Sequence, residues 1–148
     1  MTDWRIRPAT PADGAALIAL EARAFGPASW GGNAIAEGLS QRFVSTLIAS
    51  DAGGACAGFA MWRRIADEAE ILSLGVLPER RRAGCARTLL AGVIDAARGE
   101  GLRSLFLEAD AGNVAAIGLY EALAFRRIAR RQRYYKSGAD ALVMRLDL

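Results

Sequence analysis

The chain has 148 residues, with 19 lysine and arginine residues against 16 aspartate and glutamate residues and a formal net charge of +3. That length accommodates one substantial hydrophobic core and is too short for two. Hydrophobic residues make up 53% of the chain, which excludes a disordered protein, and no apolar run approaches the roughly 18 residues of a membrane span. The opening decapeptide MTDWRIRPAT lacks the apolar centre of a signal peptide, so we expect a soluble cytoplasmic protein that does not bind membranes.

The chain contains no histidine, and this absence removes several classes of catalytic site. Ser-His-Asp triads, Cys-His pairs and histidine-ligated metals are excluded, so proton transfer falls to Glu, Asp, Tyr, Cys or the single lysine, Lys136. The cysteines, Cys56 and Cys85, lie far apart and outside any CxxC pair, which predicts buried or half-buried thiols and no metal site. The mild positive charge suits an anionic ligand and does not by itself indicate nucleic acid.

The first half of the sequence predicts one strand, two helices and then three strands. Thr10, Pro11 and Asp13 supply a cap, a first helical position and an acidic first turn for the first helix. The predicted ranges are a strand at 4–8, helices at 10–25 and 33–41, and strands at 43–50, 56–64 and 67–76. In the last of these strands the two-residue period predicts a common face for Glu68, Glu70, Leu72, Leu74 and Val76.

The second half predicts helix, strand, helix and two strands. The ranges are a helix at 87–101, a strand at 104–109, a helix at 113–123, a strand that turns into a loop at 125–135, and a strand at 141–146. Because the unit from 67 to 109 is a strand–helix–strand crossover, its two strands are expected to be parallel and the others antiparallel. The fold class is therefore a mixed α/β sheet.

The segment 74–88 joins a strand to a helix and contains an arginine-rich turn built on small residues. Ala83, Gly84 and Ala86 let an anion approach the unpaired backbone N–H groups at the start of the helix. Arginine side chains add positive charge at positions 80, 81, 82 and 87. The turn contains neither GxxxxGK[ST] nor GxGxxG, and it predicts a different kind of pyrophosphate site.

Two stretches of the sequence resemble one enzyme family. Arg81-x-x-Gly84-x-Ala86 resembles the [Q/R]-x-x-G-x-[G/A] signature with which GNAT N-acetyltransferases hold the pyrophosphate of coenzyme A. The segment LFLEADAGNVAAIGLYEALAF at 105–125 is similar to the LxLEVxxxNxxAIxLYExxGF pattern of the RimI-type branch of that family. Ala109 and Ala124 depart from the pattern, which has a branched apolar residue and a glycine there, and neither change removes a reactive group.

The resemblance spans about residues 4–146 and implies one N-acetyltransferase domain over 1–148 with the GNAT fold. That fold is a mostly antiparallel sheet of about seven strands with a central parallel pair, flanked by about four helices. The resemblance also implies acetyl-CoA as the cosubstrate, with no metal. The residues implied to bind it are Leu74, Gly75, Val76, Arg81, Arg82, Ala83, Gly84, Cys85, Ala86, Arg87 and Asn113.

Glu108 and Tyr120 are the predicted catalytic residues. The amine that attacks a thioester must be neutral, so a carboxylate that accepts its proton assists the reaction. Glu108 ends an apolar strand at the edge where α/β sheets bind ligands, and the resemblance gives it the role of proton acceptor. Tyr120 matches the family's proton donor to the leaving thiolate, although its helical spacing also fits a core tyrosine. Glu70 or Glu68 remains an alternative base.

Trp30, Tyr134 and Tyr135 are the predicted acceptor-binding residues, because RimI-type proteins carry aromatic residues at similar places. The resemblance implies a protein N-terminal α-amine as acceptor, with the N-terminal alanine of a small-subunit ribosomal protein expected.

The arginines of 126–133 are more readily explained as a solvated strand face than as an RNA-binding patch, so no direct nucleic-acid binding is expected. A monomer or homodimer is expected. A small-amine or lysine acetyltransferase and a non-catalytic acyl-CoA-binding module are the alternatives.

Overall fold

One mixed sheet organises residues 3–148, which are the residues that the computed structural model describes. Its strands are β1 (Arg5–Pro8), β2 (Val44–Ser50), β3 (Cys56–Ile65), β4 (Glu68–Val76), β5 (Ser104–Asp110), β6 (Arg126–Arg131) and β7 (Ala141–Asp147). The α-helices of the same residues are α1 (Gly14–Phe25), α2 (Gly32–Ser40), α3 (Cys85–Gly99) and α4 (Val114–Ala122). Every predicted element is present, and the largest difference is that α1 begins at Gly14, because a 3₁₀ turn at Pro11–Asp13 takes the place of the first turn predicted from residue 10.

The strands lie in the order β1-β2-β3-β4-β5-β7-β6, and β4 with β5 forms a parallel pair among antiparallel neighbours. This order confirms the predicted fold class. The parallel pairing begins at Glu68 with Ser104 and ends at Glu70 with Phe106. Within residues 3–148 no further pairing joins these strands, although β4 continues to Val76 and β5 to Asp110. The carboxyl-terminal halves of the two strands therefore diverge and leave a gap in the middle of the sheet.

A bulge in β4 reverses the direction of its side chains. Met61 pairs with Ser73, whereas the next residue, Trp62, pairs with Ile71, so Leu72 is an extra residue in β4. Leu72 packs against the core under α1 and α2, whereas the residues that follow, Leu74 and Val76, pack under α3. The prediction that the set from Glu68 to Val76 shares one face is therefore wrong, because one inserted residue moves every later side chain to the opposite face.

The two faces of the sheet carry separate hydrophobic cores. The larger core lies under α3 and α4 and includes Leu89, Val93 and Ile117. The smaller one lies under α1 and α2 and includes Leu17 and Ile35. Both cores meet strand β4, so the helices that cover them also surround the gap.

Gly75 allows α1 to pack closely on β4. A Cβ at this position would lie 2.8 Å from Phe59 and 2.9 Å from Phe25, which is closer than real Cβ contacts. A side chain here would push the end of α1 away from the sheet. This packing explains why glycine is required in the strand.

Candidate active site

A cleft of about 1090 Å³ opens where β4 and β5 diverge. Residues of β4, β5, α4, the α1–α2 loop and the segment after β6 line it. The predicted site residues that it brings together are Leu74, Glu108, Asn113, Tyr120, Trp30, Tyr134 and Tyr135. Glu70 also lines this cleft, whereas Glu68 lines a separate cavity of about 170 Å³ and accepts a hydrogen bond from Ser104.

Glu108 projects from β5 into the cleft and is partly exposed. The Nε atom of Arg131 lies 3.4 Å from its Oε1 atom. The phenol of Tyr134 also interacts with this carboxylate, and the interaction raises the pKa of Tyr134. Glu108 is thus a carboxylate at the wall of the cleft, with the guanidinium of Arg131 and the phenol of Tyr134 beside it.

Tyr120 lies on α4 and is mostly buried. Its ring packs edge-on against Phe125, with 6.0 Å between the ring centroids. Burial raises the pKa of Tyr120, so the phenol keeps its proton at neutral pH. Within residues 3–148 its hydroxyl has no hydrogen-bond partner, so the phenol is available to donate a proton to a ligand.

Tyr134 and Tyr135 follow β6 and pack against each other edge to face, with 5.2 Å between centroids. The guanidinium of Arg131 lies 5.4 Å from the centroid of Tyr134. Burial, followed by the charges of Glu108 and Asp110, raises the pKa of Tyr135 to about 12. Both phenols therefore stay neutral hydrogen-bonding groups near Glu108. Arg131 has no motif of its own in the sequence, since only the pairing of β7 with both β5 and β6 brings it to Glu108.

The turn before α3 has the backbone that an anion site needs. Gly84, at φ +80°, is the left-handed residue that precedes the helix. The N–H and hydroxyl of Thr88 both donate to the carbonyl of Gly84, so the N–H groups of Cys85, Ala86 and Arg87 are those without a helical acceptor. These N–H groups, with the positive end of the helix dipole, fit a diphosphate.

The arginines of this turn differ in what they contact. Arg81 donates to the carbonyl oxygen of Val76 at 3.2 Å and to that of Ala24 at 2.8 Å, so it ties the turn to β4 and α1. Arg82 and Arg87 are exposed, and neither has a carboxylate partner within residues 3–148. These two side chains are the ones available to a bound anion.

Trp4 and Arg80 hold the same turn from outside, and sequence analysis gave neither this role. The indole N–H of Trp4 donates to the carbonyl of Ala83 at 2.8 Å. The guanidinium of Arg80 lies 4.9 Å from the Trp4 ring and 3.0 Å from the carboxylate of Asp51. A tryptophan at the edge of a short strand carries no local signal for this contact, because Trp4 and Ala83 are 79 residues apart.

Cys85 is buried at the start of α3, where burial raises the pKa of its thiol to about 11. A protonated, inaccessible thiol is a poor nucleophile.

Asn113 caps α4, because its Oδ1 atom accepts a hydrogen bond from the N–H of Ala116 at 3.2 Å. Asn113 is exposed at the cleft, so its predicted contact with the cosubstrate remains compatible with the cap.

All four arginines of β6 have acidic partners, and those other than Arg131 pair with carboxylates outside the cleft. Arg126 pairs with Asp147, Arg127 with Glu121, and Arg130 with Asp140. Paired, exposed side chains are typical of a solvated strand face. In the part of the chain from residue 3 onward, no helix is both long and apolar enough to cross a bilayer.

Comparison with known proteins places this arrangement in a family. The sequence matches the Acetyltransferase (GNAT) family over residues 17–125. N-alpha-acetyltransferase RimI of Mycobacterium tuberculosis is 35% identical over 144 residues, which cover 93% of this chain and 89% of that protein. The bS18 ribosomal-protein-alanine N-acetyltransferase of Escherichia coli is 33% identical over 122 residues, with 80% of this chain and 81% of that protein covered.

A solved structure shows the same likeness in three dimensions. The crystal structure of the ribosomal-protein-S18-alanine N-acetyltransferase from Escherichia coli superposes with a TM-score of 0.89 and 32% sequence identity, covering 98% of this chain and 94% of that chain. GNAT enzymes take their acetyl group from acetyl-CoA. The chain therefore belongs to the GNAT family of acetyltransferases and is similar over nearly its whole length to the RimI enzymes.

Proposed function

We propose that this protein transfers the acetyl group of acetyl-CoA to the N-terminal α-amine of a protein, with the N-terminal alanine of ribosomal protein S18 as its acceptor. One observation carries the proposal: Glu108 and Tyr120 both line the cleft at which β4 and β5 diverge. Relatives from two bacteria that are named for N-terminal acetylation support the same class of acceptor.

The donor would lie between the diverging strands. Beyond Glu70 the backbone of β4 has no partner in β5 within residues 3–148, so its N–H and carbonyl groups remain free on that side. Leu74, Gly75 and Val76 would bond the pantetheine arm there, and an N–H group aimed at the thioester carbonyl would stabilise the oxyanion. The first-turn N–H groups of α3, with Arg82 and Arg87, would hold the diphosphate.

The acceptor amine would attack the thioester carbonyl directly. Glu108 would accept the proton that the amine loses, either in contact or through a water molecule. Tyr120 would protonate the sulfur of coenzyme A as the tetrahedral intermediate collapses, and its raised pKa keeps that proton in place until then. No acetyl-enzyme forms in this scheme, which agrees with the protonated state of the Cys85 thiol.

Aromatic side chains would bind the acceptor peptide. Trp30 lies on one wall of the cleft, in the α1–α2 loop, and Tyr134 and Tyr135 come from the segment after β6. Phenol hydroxyls can bond the backbone of a peptide N-terminus, and an indole can cover its first side chain. Together with the acidic Glu108, these groups suit a cationic peptide end.

The test is an acetyl-transfer assay with purified protein and three sets of acceptors. The sets are peptides that begin with the S18 N-terminus, lysine-containing peptides with blocked N-termini, and small amines. We expect kcat/KM for the S18 peptide to exceed that for the others by at least about 100-fold. A preference for blocked lysine peptides or small amines would replace the proposed acceptor, and acetyl-CoA binding without transfer to any acceptor would indicate a binding module instead.

A further inference from the structure

Glu21 is the charged side chain that the fold buries most completely. It is 1% exposed, and within residues 3–148 the other buried polar residues are the uncharged Thr46, Ser73 and Ser104. Burying a carboxylate is unfavourable unless hydrogen-bond donors replace the lost water. The donors that Glu21 receives therefore show what this residue organises.

Both donors come from the α1–α2 loop. The hydroxyl of Ser29 donates to one carboxylate oxygen of Glu21, and the backbone N–H of Trp30 donates to the other at 2.8 Å. The Ser29 oxygen also accepts a hydrogen bond from the N–H of Gly31 at 3.1 Å, which continues the chain of bonds to the start of α2. One buried carboxylate thus fixes three consecutive residues of the loop.

This loop forms one wall of the cleft. Pro27, Ala28, Ser29 and Trp30 all line it, as do Tyr134 and Tyr135. Trp30 is 49% exposed, so packing against the rest of the protein covers only part of its surface. The position of its indole depends on its backbone, and the backbone N–H of Trp30 is bonded to Glu21.

We propose that Glu21 is a positioning residue that sets acceptor affinity by fixing Trp30 at the wall of the cleft. The inference rests on the proposed function, because it assigns the Trp30 side of the cleft to the acceptor peptide. It separates the two substrates, because the bonds that hold the diphosphate turn are made by Trp4 and Arg81 and do not involve the Glu21 side chain. Loss of the Glu21 bonds should therefore weaken peptide binding and leave donor binding unchanged.

The test compares Glu21→Gln and Ser29→Ala with Glu37→Gln. Glutamine keeps the volume of Glu21 and replaces one accepting oxygen with an amide nitrogen, which cannot accept either donor. Ser29→Ala removes one of the two bonds and leaves the carboxylate, so it reports on the loop even if Glu21→Gln fails to fold. Glu37 is exposed on α2 and serves as the matched charge-removal control.

We expect the KM for the acceptor peptide to rise roughly tenfold in Glu21→Gln and several-fold in Ser29→Ala, with kcat and the KM for acetyl-CoA within about twofold of wild type. Hydrogen exchange of the Trp30 amide should accelerate in Glu21→Gln and remain unchanged in Glu37→Gln. A general structural defect would instead change both KM values together.

Two results would overturn the inference: unchanged Trp30 exchange, or equal effects on both substrates. Failure of the proposed function has a different signature, since wild-type protein would then acetylate some other amine in preference to the S18 peptide. In that case the same KM comparison with the preferred amine decides the role of Glu21.

Discussion

The guanidinium of Arg131 on β6 lies 3.4 Å from the carboxylate of Glu108 on β5, and strand β7 lies between the two strands. The arginine therefore reaches across a neighbouring strand to contact the proposed base. The same guanidinium lies over the ring of Tyr134, whose pKa is raised by its interaction with Glu108. Arg131 thus contacts both Glu108 and Tyr134 at the same end of the cleft.

Replacing Arg131 with glutamine should lower kcat/KM for the acceptor peptide by roughly tenfold, because Glu108 and Tyr134 lose their common partner. Stability should change by less than about 1 kcal/mol, since the ion pair is partly exposed. Arg130→Gln is the matched control, because Arg130 is adjacent and pairs with Asp140. Steady-state kinetics that show equal losses in the two variants would remove Arg131 from the site.

Glu108→Gln should reduce kcat by about 10²- to 10⁴-fold, because the amine loses its proton acceptor. Binding of acetyl-CoA, measured by calorimetry, should stay near the wild-type value. Glu70→Gln provides the comparison, since Glu70 lines the same cleft and pairs with Arg63 at 3.2 Å. If Glu70→Gln loses turnover and Glu108→Gln keeps it, the base has been assigned to the wrong strand.

Tyr120→Phe should lower kcat by roughly 10- to 100-fold while the KM for acetyl-CoA changes little, because the ring and its packing on Phe125 remain. Burial raises the pKa of the phenol, so the wild-type donor stays protonated throughout the neutral range. The kcat of the wild type should therefore show no decline up to about pH 9 that arises from ionisation of Tyr120. The pH profiles of the wild type and Tyr120→Phe should have the same shape up to that pH. Wild-type turnover in Tyr120→Phe would identify Tyr120 as a core residue.

Trp4→Phe should raise the KM for acetyl-CoA several-fold with little change in kcat, because phenylalanine cannot donate to the carbonyl of Ala83. The lost hydrogen bond should also lower the free energy of unfolding by about 1 kcal/mol. Trp30→Phe should instead change the KM for the acceptor peptide and not the KM for acetyl-CoA. Kinetics at varied donor and fixed acceptor concentrations separate the two, and a donor KM unchanged by Trp4→Phe would contradict the role of this tether.

The buried thiol of Cys85 predicts a loss of stability in alkaline solution. Burial raises the pKa of the thiol from about 9 to about 11, so the unfolded chain loses this proton first as the pH rises. The contribution is complete below pH 9 and disappears between about pH 9 and 11, with a magnitude of up to about 2 kcal/mol. Urea unfolding at pH 8 and pH 10.5 should show a steeper decline for wild type than for Cys85→Ala, and parallel declines would rule out this thiol as the source.

The order of the elements was predictable because each depends on short-range patterns. The alternation in β4, the stop at Pro78 and the apolar stripe of α3 are all local, and together they require the crossover that makes β4 and β5 parallel. The bulge at Leu72 was not predictable, because it exists only as a pairing offset between β3 and β4. A single extra residue has no signature in a run of apolar side chains.

The site residues also fall into two groups: those that a local sequence pattern indicates and those that only the pairing of distant strands brings to the cleft. The residues near the cleft that the sequence indicated belong to recognisable motifs, as Glu108 and Tyr120 do. Arg131 was overlooked because its contact reaches across β7 and depends on the pairing of three strands, and no local pattern encodes that register. Glu21 did carry a signal: it follows Leu17 by four positions and precedes Ala24 by three, so an acid interrupts the apolar side of α1. An acid in that position requires donors, and the structure supplies them from the next loop.

The divergence of β4 and β5 also has a mechanical meaning. Three residue pairs fasten the half-sheet of β1–β4 to that of β5–β7, and the hydrogen-bonding groups beyond them face an opening instead of a neighbour. In the proposed complex, a thioester arm in that opening would bond the free backbone groups of β4 and would connect one half of the molecule to the other. Mutations that extended the pairing of β4 with β5 would make the sheet more rigid, and they would also close the opening in which the proposed donor and acceptor would meet.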